Sequence, residues 1–469
     1  METLREAAAR LQRGEVTSAA LVDGALDAIE AREGELHSFL TLLDDARAAA
    51  EDVQKRRPKD AGPLYGIPYA AKDNIVTRGV RTTAASRILE GYLPPYSATA
   101  VERLDAEGAL LLGKTNLDEF AMGSSTEWSA YGPSRNPVDP SRVPGGSSGG
   151  SAVAVAAGFC HYALGSETGG SVRQPAAFCG CVGLKPSYGR VSRYGLIAFA
   201  SSLDQIGTLT QDVGDAAVVL GAIAGRDPRD QTSLDAPVPD YLQEISRGAK
   251  GLRFGVPPEY LAEGVAPAVR DEVLRAADLL QAQGLERREV RLPHTSYALD
   301  AYYVIAPAEA SSNLARFDGM RYGPRAQEED LIEAYRRSRG EGFGPEVKRR
   351  ILLGTFVLSA GYYDTYYLRA QKLRTLLRAE FAAAFSEVDV LLTPTTPTTA
   401  FAFGANTADP LAMYMADALT IPANLAGLCA ISLPGRPADG LPVGLQLMAA
   451  PLREDVLLRA AGALEEAVR

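Results

Sequence analysis

The chain has 469 residues, of which 46% are hydrophobic and 23% are charged, and its formal net charge is −10. This length is enough for a large core, and the composition is ordinary for a globular protein. The excess of acidic residues argues against direct binding of a nucleic-acid backbone, because such binding needs a basic surface. If nucleic acid takes part in the function, we expect another chain to supply that surface.

The cysteine pattern argues against a metal site. The spacing of Cys179 and Cys181 is too short for a zinc-binding Cys-x-x-Cys pair, and no second pair follows. We therefore predict that all four cysteines are buried free thiols, as expected in a reducing cytoplasm. The N-terminus is charged and lacks the apolar run of a signal peptide, and no apolar stretch has transmembrane length. We expect no association with a membrane.

The predicted elements divide the chain into a helical layer and a larger core. Residues 1–60 predict an N-terminal helical layer, because apolar residues recur at helical spacing from Leu4 to Leu11 and from Leu21 to Ile29. From residue 61 to residue 469 strands and helices alternate, which predicts an α/β fold, with a mixed β-sheet covered by helices on both faces. No linker is evident, so we expect a single large domain. The predicted strands and helices of the core are strands 65–71, 109–112, 162–165, 388–392 and 442–448 and helices 98–107 and 148–158.

Two glycine-rich loops carry the serines that stand out most. They are GGSSGGS at residues 145–151, the first serine loop, and ETGGSVR at residues 167–173, the second serine loop. Glycine lets a backbone approach a ligand closely, and a helix that starts after such a loop presents free N–H groups. The first serine loop also matches the nucleophile elbow G-x-S-x-G. However, His37, His161 and His294 lie in contexts that do not support a Ser-His-Asp triad.

Lys72 is the alternative base. It ends a predicted apolar strand, and burial lowers the pKa of a lysine, so that its neutral amine accepts a proton. A lysine at the end of a strand more often places its ammonium group in solvent. The combination of Lys72 with two serine loops favours the catalytic interpretation.

That combination resembles the amidase signature family. The run GIPYAAKDN at residues 66–74 and the two serine loops follow the family's order and separations, and the resemblance covers essentially the whole chain. It implies a Ser–cis-Ser–Lys triad formed by Ser171, Ser147 and Lys72, with a cis peptide bond between Gly146 and Ser147. It also implies the amidase-signature fold and an amide substrate.

The mechanism that the resemblance implies is acyl transfer. Lys72 accepts a proton from Ser147, Ser147 relays the proton of Ser171, and Ser171 Oγ attacks an amide carbonyl. We expect Ser148 to support the first serine loop by hydrogen bonding and Arg173 to buttress the second loop rather than contact substrate. The implied oxyanion hole consists of the backbone N–H groups of Thr168, Gly169, Gly170 and Ser171.

The C-terminal half resembles one subfamily, the A subunits of glutamyl-tRNA(Gln) amidotransferases. By that resemblance Arg350 binds the α-carboxylate of glutamine, Asp417 binds its α-ammonium group and Tyr302 lines the pocket. Arg349 is the competing choice for Arg350, because the two are adjacent. The runs that carry this resemblance lie at residues 302–303, 309–319, 321–323, 346–351, 361–364 and 409–414.

The same resemblance implies partners and a division of labour. Ammonia from glutamine passes to a B subunit, which activates a misacylated tRNA with ATP and Mg²⁺, and a small C subunit holds the other two together. Glutamyl-tRNA(Gln), aspartyl-tRNA(Asn) or both remain open as the acceptor. We expect no cofactor and no metal on this chain, and contact with tRNA mainly through the B subunit.

The sequence also contains a match to a second motif and allows two alternative functions. The run GALLLGKT at residues 108–115 matches the P-loop pattern, but its apolar middle predicts a buried strand rather than a phosphate-binding loop. The first alternative function is a stand-alone amidase that acts on small amides. The second is a non-enzymatic assembly protein, against which the intact triad argues.

Overall fold

A computed structural model describes residues 2–469 of the chain. Within that range the chain forms sixteen α-helices and eleven β-strands, together with short 3₁₀ and π turns. The strands are β1 (Phe39–Leu42), β2 (Pro68–Lys72), β3 (Leu110–Thr115), β4 (Tyr162–Glu167), β5 (Val182–Lys185), β6 (Gln205–Thr210), β7 (Arg253–Gly255), β8 (Glu286–Arg288), β9 (Val390–Pro394), β10 (Cys429–Pro434) and β11 (Gly444–Ala449). The helices are α1 (Leu4–Arg13), α2 (Ser18–Leu36), α3 (Ala46–Lys55), α4 (Thr99–Ala106), α5 (Gly149–Ala156), α6 (Arg173–Cys179), α7 (Val213–Ile223), α8 (Tyr241–Ser246), α9 (Pro267–Ala282), α10 (Ala298–Asn313), α11 (Leu331–Gly342), α12 (Pro345–Val357), α13 (Arg369–Glu387), α14 (Pro410–Met415), α15 (Ile421–Ala426) and α16 (Glu454–Val468).

All eleven strands form one mixed sheet. Its order is β1-β3-β2-β4-β6-β5-β10-β11-β9-β7-β8. Parallel pairs join β2 to β3 and β4, and join β7 to β8 and β9, while the remaining neighbours are antiparallel. The predicted α/β class with a mixed sheet is confirmed.

Helices cover both faces of this sheet, as β2 illustrates. Successive side chains of a strand point to opposite faces. Accordingly Tyr69 and Ala71 join a core with residues of α1, α4 and α7, whereas Ala70 joins a second core with residues of α2, α3 and α5. Because both faces are buried, β2 consists of fully buried residues, as is usual for parallel strands inside a sheet.

The N-terminal region is not entirely helical, which corrects the prediction for residues 1–60. Phe39–Leu42 forms β1, which pairs antiparallel with β3 through Phe39 and Thr115. A four-residue strand has too few positions for its period to be recognised, and its stability depends on a partner that is distant in sequence. The division of the chain at residue 60 stays a prediction.

The predicted core strands occur within a few residues of their expected positions. For example, β2 begins at Pro68 rather than residue 65, after Gly66 at a φ of 77°. The four cysteines are buried and form no disulfide within residues 2–469. Between those residues no helix is both long enough and apolar enough to cross a membrane.

The topology brings the two serine loops to one edge of the sheet. Neighbouring parallel strands have their carboxyl ends at the same edge, so Lys72 at the end of β2 lies beside the end of β4. The second serine loop connects β4 to α6, and the first serine loop leads directly into α5. Loops at the carboxyl edge of such a sheet are the usual place for a ligand.

Candidate active site

Lys72 connects the two serine loops. Its side chain is fully buried, and Nζ donates to Ser147 Oγ at 2.7 Å, to Ser148 Oγ at 2.8 Å and to the carbonyl oxygen of Ser166 at 3.1 Å. Burial lowers the pKa of Lys72 to about 7, against the opposing charge of Asp118. A substantial fraction of the amine is therefore neutral near neutral pH, the form that accepts a proton.

Asp118 holds the first serine loop in position. The Gly146–Ser147 peptide bond is cis, and the backbone N–H of Asp118 donates to the carbonyl oxygen of Ser147 at 3.3 Å. The carboxylate of Asp118 accepts the N–H groups of Thr126 at 2.9 Å and Trp128 at 3.2 Å. A Cβ on Gly146 would lie 2.1 Å from Asp118 Oδ2, so this position requires glycine. Sequence reasoning missed Asp118, because nothing in its own neighbourhood points to residue 146.

The hydroxyl of Ser171 has no hydrogen-bond partner among residues 2–469, and the residue is 5% exposed. Its carbonyl oxygen accepts the N–H of Ser148 at 3.0 Å, which joins the two loops. No hydrogen bond links the Ser147 and Ser171 hydroxyls in the described chain, so the relay implied by the resemblance requires their closer approach with substrate bound. The second serine loop also contains four backbone N–H groups that donate to no acceptor in residues 2–469. These are the N–H groups of Thr168, Gly169, Gly170 and Ser171.

A buried ion pair supports the second serine loop from behind. Glu167 and Arg173 flank the loop, and both side chains are fully buried and hydrogen-bonded to each other. Glu167 Oε2 also accepts the backbone N–H groups of Val172 at 3.0 Å and Arg173 at 3.1 Å. Arg173 Nη2 donates to the carbonyl oxygen of Thr420 at 3.0 Å. Arg173 thus occupies a supporting position, and Glu167 is a supporting residue that sequence reasoning missed.

Tyr302 and Asp417 lie directly against the second serine loop. The hydroxyl of Tyr302, on α10, is 2.8 Å from Thr168 Oγ1. A Cβ on Gly169 would lie 2.9 Å from Tyr302 Cζ, and a Cβ on Gly170 would lie 3.0 Å from Asp417 Oδ1. Both side chains therefore lie close to the glycines whose N–H groups are free.

Asp417 has one carboxylate oxygen to offer a ligand. Ser124 Oγ donates to Oδ2, whereas Oδ1 is buried and has no partner among residues 2–469. Burial raises the pKa of Asp417 to about 7, against the hydrogen bond from Ser124 and the charge of Arg350. A buried carboxylate oxygen without a partner is costly unless a ligand supplies the donor.

Arg350, rather than Arg349, faces the interior. The Arg350 side chain is 3% exposed and that of Arg349 is 41% exposed. Arg350 Nε donates to Glu346 Oε1 at 2.7 Å, while its two terminal nitrogens donate to no residue in 2–469. Of the two adjacent arginines, Arg350 is therefore the buried one, and its role in binding glutamine stays a prediction.

The P-loop match does not form a phosphate-binding loop. Residues 110–115 are strand β3, as predicted, and Lys114 is buried. Its Nζ donates to the carbonyl oxygen of Ile75 at 2.6 Å and to Thr82 Oγ1 at 3.0 Å, and it lies 3.6 Å from Asp73 Oδ1. Lys114 is therefore fully engaged in structural contacts. Within residues 2–469 no group of three or more His, Cys, Asp or Glu side chains could hold a metal ion.

A serine hydroxyl, free N–H groups in the same loop and a desolvated lysine together are suited to acyl transfer from an amide. The family model described as Amidase matches residues 20–458, and the chain belongs to this amidase family. It is 56% identical to the A subunit of the glutamyl-tRNA(Gln) amidotransferase of Moorella thermoacetica, over 99% of this chain and 96% of the relative.

Two solved structures extend the comparison. The A subunit of the glutamyl-tRNA(Gln) amidotransferase of Thermotoga maritima matches with a TM-score of 0.82 and 46% identity, over 96% of this chain and 91% of that one. The peptide amidase of Stenotrophomonas maltophilia matches with a TM-score of 0.83 and 33% identity, over 100% of this chain and 97% of that one. The fold is therefore common to relatives that differ in substrate, so the pocket must distinguish them.

Proposed function

We propose that this chain is the glutamine-hydrolysing subunit of a tRNA-dependent amidotransferase, a carbon–nitrogen ligase that uses glutamine as its amide donor. One observation carries the proposal: a buried oxygen of Asp417 and the two terminal nitrogens of buried Arg350 have no partner in the described chain. Burial raises the pKa of Asp417 and the charge of Arg350 opposes that rise, so the two groups are close enough to interact. Free glutamine carries an ammonium and a carboxylate on its α-carbon, and these two side chains complement them.

The reaction begins with the neutral amine of Lys72. It accepts a proton from Ser147, which takes the proton of Ser171, and Ser171 Oγ attacks the side-chain amide carbon of glutamine. The free N–H groups of the second serine loop stabilise the oxyanion that forms. Ser147 then returns the proton to the leaving ammonia, and water hydrolyses the acyl-enzyme. The 2.7 Å hydrogen bond between Lys72 and Ser147 supports the first of these transfers.

The ammonia is consumed by partners. The relatives are named as A subunits of a glutamyl-tRNA(Gln) amidotransferase, which supports an assembly of several subunits. We propose that the partners are a B and a C subunit and that the complex works in the cytoplasm. We propose that the B subunit holds ATP and Mg²⁺ and contacts the misacylated tRNA, glutamyl-tRNA(Gln) or also aspartyl-tRNA(Asn). The net charge of −10 agrees with a chain that does not itself bind the tRNA backbone.

The second candidate is a stand-alone amidase for small amides, which the similarity to a peptide amidase favours. The two functions differ in their dependence on partners. We expect glutamine hydrolysis by the isolated chain to be slow and to rise at least about tenfold in the co-purified complex with ATP and misacylated tRNA. Rapid hydrolysis of varied amides by the isolated chain, without stimulation by assembly, would favour the stand-alone amidase.

A further inference from the structure

Glu346 occupies an unusual position beside Arg350. It lies in the first turn of α12, which begins with Pro345, and its side chain is only 4% exposed. Its carboxylate accepts hydrogen bonds from three side chains at once: Arg349, Arg350 and the hydroxyl of Tyr414 at 3.0 Å. A carboxylate in the first turn of a helix is stabilised by the helix dipole, and an arginine four residues later is well placed to pair with it.

The contact between Glu346 and Arg350 uses only one edge of the guanidinium group. Glu346 Oε1 accepts from Nε, so the two terminal nitrogens stay available. An arginine binds a carboxylate best through two parallel N–H groups. Because Nε is occupied, the edge formed by the two terminal nitrogens is the one that a ligand carboxylate meets.

Three aromatic rings pack against the guanidinium group of Arg350. The Cζ atom of Arg350 lies 5.3 Å from the ring centres of Tyr303 and Tyr414 and 5.6 Å from that of Phe199. Tyr303 and Tyr414 stack on each other with ring centres 3.8 Å apart. Since the hydroxyl of Tyr414 donates to the Glu346 oxygen that also accepts from Arg350, Glu346 fixes both the arginine and one of the rings beside it.

From this geometry we infer that Glu346 is a positioning residue, which orients Arg350 so that its terminal nitrogens bind the α-carboxylate of glutamine. The inference rests on the proposed function. Glu346 acts through geometry: it supplies an acceptor oxygen to Nε and to the Tyr414 hydroxyl, and it does not contact the substrate. A merely structural role would change stability and leave the affinity for glutamine as it is.

The test measures KM and kcat for glutamine in the assembled complex. Glu346→Ala removes the acceptor, and we expect KM to rise about tenfold or more with kcat within about threefold of the wild type, because recognition is lost and the chemistry is retained. Glu346→Gln keeps an acceptor oxygen and should hold KM within about threefold of the wild type. Glu341→Gln, on the exposed end of α11, is the matched control.

Two outcomes would overturn the inference. One is an unchanged KM in Glu346→Ala, and the other is a loss of kcat at unchanged KM. If Glu346→Ala does not fold, Glu346→Asp replaces it in the test. This variant keeps the charge but moves the carboxylate away from Arg350 by the length of one methylene group. An unchanged KM in Glu346→Asp would overturn the inference as well. Arg350→Ala separates this failure from failure of the proposed function: if it too leaves KM unchanged, the assignment of the pocket to glutamine is wrong.

Discussion

The serine–lysine cluster and the pocket assigned to glutamine lie against the same loop but are held in different ways. In the cluster, Lys72 donates hydrogen bonds to two hydroxyls and a carbonyl oxygen, and burial lowers its pKa to about 7. In the pocket, Arg350 is paired with Glu346 and keeps its charge, while Asp417 has one oxygen without a partner among the described residues. Burial thus brings Lys72 close to its neutral form, whereas buried Arg350 stays charged.

Lys72 and Arg350 differ in charge state, so variants of one region should affect the chemistry and variants of the other should affect binding. A base must exchange a proton, so its charged form has to be destabilised by burial. A residue that recognises a charged ligand needs its own charge, and a guanidinium group keeps its charge even when it is buried. Substitutions in the cluster should therefore lower kcat, and those in the pocket should raise KM.

The largest effect is expected for Ser171→Ala. Removing the nucleophile should lower kcat for glutamine hydrolysis by at least about 10⁴-fold, because the attacking hydroxyl beside the free N–H groups is lost. The measurement is ammonia release by the assembled complex, with the exposed serine variant Ser296→Ala as a control. If Ser171→Ala retained activity while Ser147→Ala lost it, the nucleophile would be Ser147.

A smaller but still large loss is expected for Lys72→Ala. Without the base, kcat should fall by about 10³-fold. In the wild type, kcat/KM should rise as the pH increases through about 7, because the ammonium form of Lys72 cannot accept a proton and the neutral form can. A profile that stays flat between about pH 6 and pH 8 would contradict Lys72 as the base.

The adjacent arginines provide a comparison within the pocket. Arg350→Ala should raise KM for glutamine by about 30- to 100-fold, the loss of a charge-assisted pair, with a much smaller change in kcat. Arg349→Ala removes a half-exposed side chain and should change KM by less than about threefold. Equal effects of the two variants on KM would mean that the burial of Arg350 does not reflect recognition.

A change of KM smaller than that of Arg350→Ala is expected for a variant of Asp417, together with a change in the pH dependence of KM. In the proposed function the ionised carboxylate binds the ammonium group of glutamine. The ionised fraction of Asp417 rises as the pH increases through about 7, so KM of the wild type should fall over that range. Asp417→Asn should raise KM by about tenfold and remove this dependence, while the pH dependence of kcat from Lys72 persists. A KM that still fell with pH in the variant would assign the titration to another group.

The two regions also differ in how far the sequence predicts them. The serine loops are contiguous motifs, so their glycines and serines could be recognised locally, whereas the role of Lys72 could be inferred only from its combination with both loops. Support from Asp118 could not, because its contact with the first serine loop depends on how separate segments meet in the fold. The same holds for the pocket: nothing local distinguishes Arg349 from Arg350, and only the packing of α12 does.

The overall fold shows the same limit. Alternating apolar segments predicted the mixed sheet and its helices on both faces. The short strand β1 was missed, since four residues carry little periodic signal and pairing with β3 stabilises them. Elements that depend on distant partners are those that a local pattern predicts least well.

Gly169 and Gly170 have a consequence for the design of new specificities. Any side chain at these two positions would collide with Tyr302 on one side and with Thr420 and Asp417 on the other. An engineer therefore has no substitution there that alters the substrate without also disturbing the N–H groups next to Ser171. Changes of substrate therefore have to be made on α10, α12 and the segment after α14, at side chains other than Tyr302 and Thr420, which hydrogen-bond to the loop.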